Sequence, residues 1–492
     1  MLATLLRWNA ADRAGAPLLD ADEPIYLNTG VNAARLGVLG AEPAIPSPER
    51  MPAVPSWVAL SQFGIGSVDP IRTRHLQALV GGIGVFIFFL LGAVLDKERG
   101  SVVGLVAAAL YAVHPDLISD TAVLRTEWLD VLLSASVALF AALWLRGPTP
   151  KGALFFGLAL GAALLSRSFL FLLVPIALLA RVPRRREWIP LLLLGVLIPL
   201  LPWIARNAVQ FQSFIPFERG AAEPSLYYSS LGLPGSKGLA AYEAMAIEAH
   251  PELAALDSVA RKYQMAVLAR RNIIEEPARF FIASLKRFPV IWSQHLWLLL
   301  FAFIGFCLAR KRVEAKVLAG LWAYYNLHIF VDVHLLRLHP SLAPLIGLCA
   351  LGALEIPGMI RRIPPSPTRI RVHRWGLASV CILIFPALLF IARESFSVSP
   401  SPLPEPKIFL DRVVLAAQSG RLPEALALLD AKANAYPSFA ALHLSHAALL
   451  ERAGRSDEAC ASLARAAHIV EPLGSASGEL GTRISTSLST CN

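Results

Sequence analysis

The sequence predicts an all-α fold: a polytopic bundle of about ten transmembrane helices, an outer-face loop domain, and a small C-terminal module of helical repeats. Three observations carry that prediction. Hydrophobic residues make up 55% of the 492 and charged residues only 16%, against roughly 25% charged in a soluble domain. A mean hydropathy of +0.56 over such a length requires several apolar runs of roughly 20 residues, the thickness of a bilayer core. Basic residues also recur in short clusters between those runs, which is how a membrane protein sets its orientation.

The first strong run is Leu76 to Leu95, flanked by Arg72 and Arg74 before it and by Asp96 to Arg99 after it. Further runs follow at about 101–118, 128–145, 152–165, 168–180, 188–204, 289–308, 315–333, 340–359 and 375–392. The two between Gly152 and Ala180 are short and separated by Ser166-Arg167. Gly100 and Gly104, like Gly157 and Gly161, are spaced to let helices approach closely. Lys97 and Arg99, Arg146 and Lys151, Arg181 with Arg184-Arg185-Arg186, Arg310-Lys311-Arg312, and Arg361-Arg362 through Arg374 all fall on one side, which this pattern makes cytoplasmic. The other side receives residues 1–75, the loop 119–127, Ser166-Arg167, a long loop over 205–288, the turn 334–339 and the C-terminal tail. The expected location is the inner (plasma) membrane. Met1 to Trp8 is too short for a signal peptide or a span, so residues 9–75 either cross as an N-out tail or follow a helix encoded upstream.

The net charge of +10, from 45 Lys and Arg against 35 Asp and Glu, is accounted for by these loop clusters, and no nucleic-acid partner is expected. Cys307, Cys349 and Cys381 lie in apolar runs, and no metal-ligand spacing appears. Cys460 and Cys491 could pair only if their segment faces an oxidising space, and are otherwise two free thiols.

Within the long loop, His250 to Ser284 carries amphipathic spacing at Leu253, Val259, Tyr263, Val267, Ile274 and Phe280-Phe281, predicting a helix along the membrane surface. Past a Ser/Pro-rich linker, 395–406, the chain becomes alanine-rich. Ser419 to Ala425 recurs as Ala453 to Ala459, with Gly420 and Gly454 placed 34 residues apart, the period of a tetratricopeptide repeat. The expected organisation is a membrane domain over 1–394, the linker, two tetratricopeptide-like repeats over 407–475, and a tail over 476–492. So short an array needs a further surface to pack on, either the membrane domain or a protein partner.

Charged residues near hydrocarbon cost about 2.5–3.5 kcal/mol and persist mainly where they act, so the polar residues at outer helix ends are the informative ones. They form four clusters: Asp20 to Tyr26; His114-Pro115-Asp116 running to Arg125-Thr126-Glu127; Pro202 to Asn207; and Asp332, His334, Arg337 and His339-Pro340. A carboxylate among them could serve as a general base and an arginine could hold an anion bidentately. The same residues could instead be helix-start carboxylates and interfacial anchors.

The order of these motifs resembles the C-type glycosyltransferases, polytopic enzymes that use polyprenyl-phosphate sugars, in particular the branch of the protein O-mannosyltransferases and the lipid A aminoarabinose transferase. Asp22-Glu23-x-x-Tyr26 is similar to the acidic motif of the family's first outer loop, and Arg50 to Pro55 to the Pro-rich stretch after it. Arg72 and Arg74 open the next helix; His114-Pro115 and Thr126-Glu127-Trp128 resemble the His-Pro and Thr-Glu motifs. Leu165-Ser166-Arg167, Pro202-Trp203 with Arg206-Asn207, and Arg337 ahead of Pro340 and Pro344 complete the series. In the family a helix lies directly before the acidic motif.

The resemblance implies an inverting transfer of a sugar from a lipid phosphate to an acceptor hydroxyl on the extracytoplasmic face, a hexosyl or pentosyl transfer. It places the general base at Asp22, with Glu23 as its neighbour and Glu127 positioning the acceptor or Asp22. Arg74, Arg206 and Arg337 become candidates for the leaving phosphate, and Tyr26, His114 and His339 for the cavity wall. No metal ligand set and no certain cofactor are expected. The partners are the polyprenyl-phosphate sugar, the bilayer, and a protein at the C-terminal repeats. Two alternatives stand beside this reading: a transporter or flippase of lipid-linked saccharides, which would show internal repeats and midplane breaks, and a non-catalytic envelope scaffold.

Overall fold

The computed structural model describes residues 1–16, 18, 22–41, 46–64, 68–179, 185–218, 223–232, 239–256, 258–330, 335–362, 413, 422–435, 440–470 and 478–491. Among them the secondary structure is helical throughout, with no strand. Asp20, Asp332, His334, the run 375–392 and the linker 395–406 lie outside the described residues, as does the side chain of Arg337.

Four stretches are long and apolar enough to cross a bilayer: Pro70–Val94, Glu127–Arg146, Glu187–Phe211 and Pro277–Ala309. They correspond to α4 (Pro70–Val94), α7 (Glu127–Arg146), most of α10 (Arg185–Phe211), and α14 (Pro277–Trp292) continuing into α15 (Leu296–Ala309). The run expected over 101–118 is broken: α5 (Gly100–Val113) and α6 (Pro115–Ser119) meet at 61°. The cause is Pro115, which forces the preceding His114 into an extended conformation. The two short runs after Gly152 become α8 (Pro150–Leu164), a 3-10 turn at Ser168–Leu172, and α9 (Leu173–Leu179). Last in the bundle are α16 (Val313–Asn326) and α17 (Leu342–Arg362).

Large apolar side chains are left on the outside of this bundle, among them Ile83, Phe86 and Leu90 on α4, Leu197 and Leu201 on α10, and Leu300 and Phe303 on α15. Such a girdle belongs against lipid rather than water, and the chain is a multi-pass membrane protein. Inside, small residues let helices touch. A Cβ at Gly157 on α8 would collide with the Leu192 carbonyl on α10, and one at Gly104 on α5 with the Phe89 carbonyl on α4.

Ahead of α4, α1 (Leu2–Ala14) packs along it. Arg7 is buried and donates to the carbonyls of Tyr111 (3.1 Å) and Ala112 (3.3 Å) at the end of α5. α2 (Glu23–Leu36) and α3 (Ala53–Gln62) pack together. The long loop is largely helical: α10 runs on to Phe211, followed by α11 (Glu223–Ser230), α12 (Leu239–Ala249) and α13 (Ser258–Glu275). The single amphipathic helix expected over 250–284 is split at Glu276-Pro277, where proline lacks an N–H.

The C-terminal module consists of α18 (Leu422–Ala435), α19 (Ala440–Arg452), α20 (Ser456–Val470) and α21 (Gly478–Leu488). Gly454 turns the chain between α19 and α20 at φ +75°, a conformation that favours glycine. Residues 476–492, expected as a tail, hold α21, and Cys491 is disulfide-bonded to Cys460 on α20. The two free thiols expected from sequence are thus corrected, because the helix folds back on its neighbour. The module's apolar interior is continuous with that around Leu18, Tyr26, Leu27, Val54, Val58 and Leu124. These C-terminal helices therefore sit at the end of the bundle that carries the acidic motif.

Candidate active site

Helix ends that the loop count assigns to the outer side gather at one end of the bundle, and there charged side chains form a connected chain. His339 and Asp120 meet at 2.6 Å (Nδ1 to Oδ2), and Arg125 donates to Asp120 at 3.0 Å. Arg125 also lies 3.4 Å from Glu127, which accepts from Arg167 at 2.9 Å; Arg167 reaches Asp130 at 3.0 Å and donates to Thr126. Three carboxylates and two arginines from the α6–α7 region and the end of α8 are thus buried together. Charges in such surroundings persist only when paired and hydrogen-bonded.

Asp22 and Glu23 begin α2 yet end in different environments. Glu23 is sealed: its carboxylate accepts from Arg74 at 2.9 Å and from the Leu124 backbone N–H at 2.6 Å, and neither charged side chain has any exposure. Arg74 donates on its other side to the Gly15 carbonyl. Asp22 keeps 24% of its side chain exposed and accepts from Arg50 at 2.8 Å. The Arg50 guanidinium also sits over the Tyr26 ring, 5.6 Å from its centroid.

Arg50 lines a cleft of about 310 Å³, open mouth included, with Ile25, Thr29, Glu49, Pro55 and Trp203 among its walls. Arg206 braces that wall. It donates to the carbonyls of Leu39 (2.8 Å) and Ser47 (3.3 Å) and stacks against Trp203 and Phe211. Asn207 is buried beside it and donates to the Ile215 carbonyl.

The expected site residues therefore divide. Arg50 lines the cleft, Arg206 braces its wall, and Asp22 and Tyr26 meet Arg50 beside it, while Glu127 and His339 belong to the buried charge chain. Arg74, expected at a phosphate, is enclosed with Glu23 and faces no cleft, because α1 and α2 close over the start of α4. His114 is buried at the α5–α6 break. Asp120, Asp130 and His295 were not singled out from sequence. For Asp130 and His295 the one signal is a charged or imidazole group inside an otherwise apolar run, which in a membrane span marks a polar interior, while Asp120 lies in the loop 119–127. The fold also brings His295 against His114 and Asp116, a grouping that no local spacing reveals.

The fold and this end-gathered polar centre define a multi-pass helical membrane protein with its buried charges concentrated at one end. Residues 50–205, about a third of the chain, match the family model described as dolichyl-phosphate-mannose-protein mannosyltransferase. Over those residues the chain is similar to that family, in line with the resemblance carried by its motif order. No curated protein matches it. Solved structures with a similar course include ArnT from Cupriavidus metallidurans bound to undecaprenyl phosphate, at 13% identity and a TM-score of 0.48, covering 98% of this chain and 76% of that one. The archaeal oligosaccharyltransferase AglB from Archaeoglobus fulgidus, in complex with an inhibitory peptide and a dolichol-phosphate, is similar at 12% identity and a TM-score of 0.47, covering 84% and 57%.

Proposed function

We propose that this protein is a membrane glycosyltransferase that moves a single sugar from a polyprenyl-phosphate donor to an acceptor hydroxyl, on the extracytoplasmic face of the inner membrane. The observation that carries the reading is the division of labour between two adjacent carboxylates: Glu23 is locked in the interior and Asp22 is open beside Arg50 and the cleft. A base has to reach its substrate. A neighbouring guanidinium favours the ionised carboxylate, the form that accepts a proton.

In the proposed step the acceptor oxygen attacks the anomeric carbon and gives its proton to Asp22. The bond from the anomeric carbon to the phosphate oxygen breaks, and the electron pair leaves on the lipid phosphate. Cations at the cleft stabilise the charge gathering there; Arg50 and Arg206 are on its rim, and Arg337 belongs to the 3-10 turn that brings His339 to Asp120. Glu127 acts by holding Arg125 and Arg167. The extracytoplasmic assignment is supported by the loop asymmetry and by the Cys460–Cys491 disulfide, since disulfides persist in oxidising compartments. The C-terminal helices are read as tetratricopeptide-like repeats, whose free face is open to a protein partner.

Asp22→Asn tests the reading, because the amide matches the carboxylate in size and cannot take the proton. Purified variant and wild type, matched for thermal stability, are assayed with a polyprenyl-phosphate sugar. The expected loss is about 100- to 10,000-fold in turnover with donor binding retained; turnover near wild type overturns the assignment of Asp22.

A further inference from the structure

At the break between α5 and α6, Pro115 fixes His114 in an extended conformation (φ −66°, ψ 123°) that turns its side chain into the protein. The imidazole is 4% exposed, and neither ring nitrogen makes a hydrogen bond among the described residues. A buried polar atom left without a partner costs about 1–3 kcal/mol, so this ring is either an expense of the fold or a ligand. What surrounds it decides between the two. Asp116, two residues on, places Oδ2 4.0 Å from His114 Nδ1. His295 arrives from the 3-10 turn Ser293–His295 between α14 and α15, with Nε2 3.3 Å from the same carboxylate oxygen. One ligand atom from each of the three lies within 4.8 Å of the others.

Metal bonds of about 2.0–2.1 Å in a tetrahedral shell put ligand atoms roughly 3.3 Å apart. The His295–Asp116 edge already has that length, and the His114–Asp116 edge, at 4.0 Å, needs about 0.7 Å of side-chain adjustment. Two imidazoles and one carboxylate suit zinc and the late first-row divalent ions; magnesium and calcium prefer all-oxygen shells. Asp116 is the open member of the set, with 35% of its side chain exposed against 3% for His114, so a bound ion would keep a coordination position on that side. We propose that His114, Asp116 and His295 form a binding site for one divalent transition-metal ion of the zinc type. Such an ion would tie the bent α5–α6 pair to the start of α15, two segments far apart in sequence that meet at the end carrying the charge chain.

The test needs no knowledge of the sugar substrate. Full-length protein without a polyhistidine tag is purified in detergent, stripped with chelator and titrated with Zn²⁺, the bound metal being counted by elemental mass spectrometry. One ion per chain is expected, and Co²⁺ should give the visible absorption bands of a tetrahedral site. Outer-sphere partners of a metal are worth about 10- to 100-fold in affinity, so removing a direct ligand in Asp116→Asn or His295→Gln should weaken Zn²⁺ binding about a hundredfold or more. Both positions are partly exposed, so these variants fold even where His114→Gln does not, and His75→Gln, paired with Asp12 outside the proposed set, should bind as wild type. Absence of stoichiometric Zn²⁺, or equal binding by Asp116→Asn and His295→Gln, overturns the site. Displacement of Zn²⁺ by equimolar Mg²⁺ or Ca²⁺ overturns the metal class.

Discussion

The two ends of the helical bundle use charge differently. At the end carrying the acidic motif, several ion pairs are sealed or nearly so: Glu23 with Arg74, and, with each arginine 12% exposed, Asp120 with Arg125 and both Glu127 and Asp130 with Arg167. At the other end, Asp96 meets Arg312 (3.1 Å) and Arg99 (3.4 Å), and Arg146 meets Glu314 (3.2 Å), with the arginines between 31% and 44% exposed. Arg146 and Arg312 also donate to the carbonyls of Val94 and Leu95. The partly wet pairs hold short loops and satisfy the ends of α4, a modest task suited to solvent-screened charge. Sealed pairs cost several kcal/mol of desolvation per ion and would not be kept merely to staple helices. Their concentration at one end is what supports the proposal that the chemistry lies there.

The largest difference between the ends should appear on breaking a sealed pair. Arg74→Met leaves the Glu23 carboxylate buried without its guanidinium, and removal of one partner of a buried pair costs about 3–5 kcal/mol. Thermal unfolding in detergent should show it, and the double variant Arg74→Met with Glu23→Gln should recover part of the loss. Arg74→Met unfolding like wild type would erase the distinction drawn between the ends, and would return Arg74 to the candidates for the donor phosphate.

How much of this could be read from the sequence follows the range of the interactions. The apolar runs, the Gly157 and Gly104 contacts and the turn at Gly454 are local and legible in the sequence. What separates Asp22 from Glu23 is the enclosure of one helix face by Arg74 and the Leu124 amide, 51 and 101 residues away, and no local pattern records that. Arg167 was noticed as part of a motif, yet its union with both Glu127 and Asp130 depends on α8 ending against the start of α7. His295 lies within an apolar run and gains meaning only beside His114. The disulfide was open for the same reason, since pairing depends on α21 folding back onto α20.

A second prediction concerns which side this end faces. The Cys460–Cys491 bond closes a 31-residue separation, which in the chain-entropy estimate stabilises by roughly 3–4 kcal/mol. Reductant, or Cys460→Ser, should lower the unfolding temperature of the C-terminal module and leave the membrane helices nearly unaffected. In intact cells quenched with a thiol-alkylating reagent, both cysteines should stay unmodified until reduction. Alkylation without reductant would place the module in a reducing compartment and reverse the assignment of the two ends.

The smallest effect belongs to the wetter end and carries a pH signature. Burial acts to raise the pKa of Asp96, but hydrogen bonds from the Arg99 backbone N–H, the Arg312 guanidinium and the Glu98 backbone N–H, with the Arg312 charge, outweigh it and hold the group at about 2. A depressed pKa means that the folded state favours the ionised form, so the stabilisation is complete above the unfolded value of about 3.9 and is lost as pH falls from there through about 2. The full shift would correspond to about 2 kcal/mol. Exposure of Arg99 and Arg312 screens the pair, which reduces the expectation to about 1 kcal/mol. Asp96→Asn should therefore be mildly destabilised at pH 7, and its unfolding temperature should converge on that of wild type as the pH is lowered toward 2. A gap that persists at low pH would mean that Asp96 acts through packing rather than charge; a gap at pH 7 as large as that of Arg74→Met would mean that the two ends carry charge on equal terms.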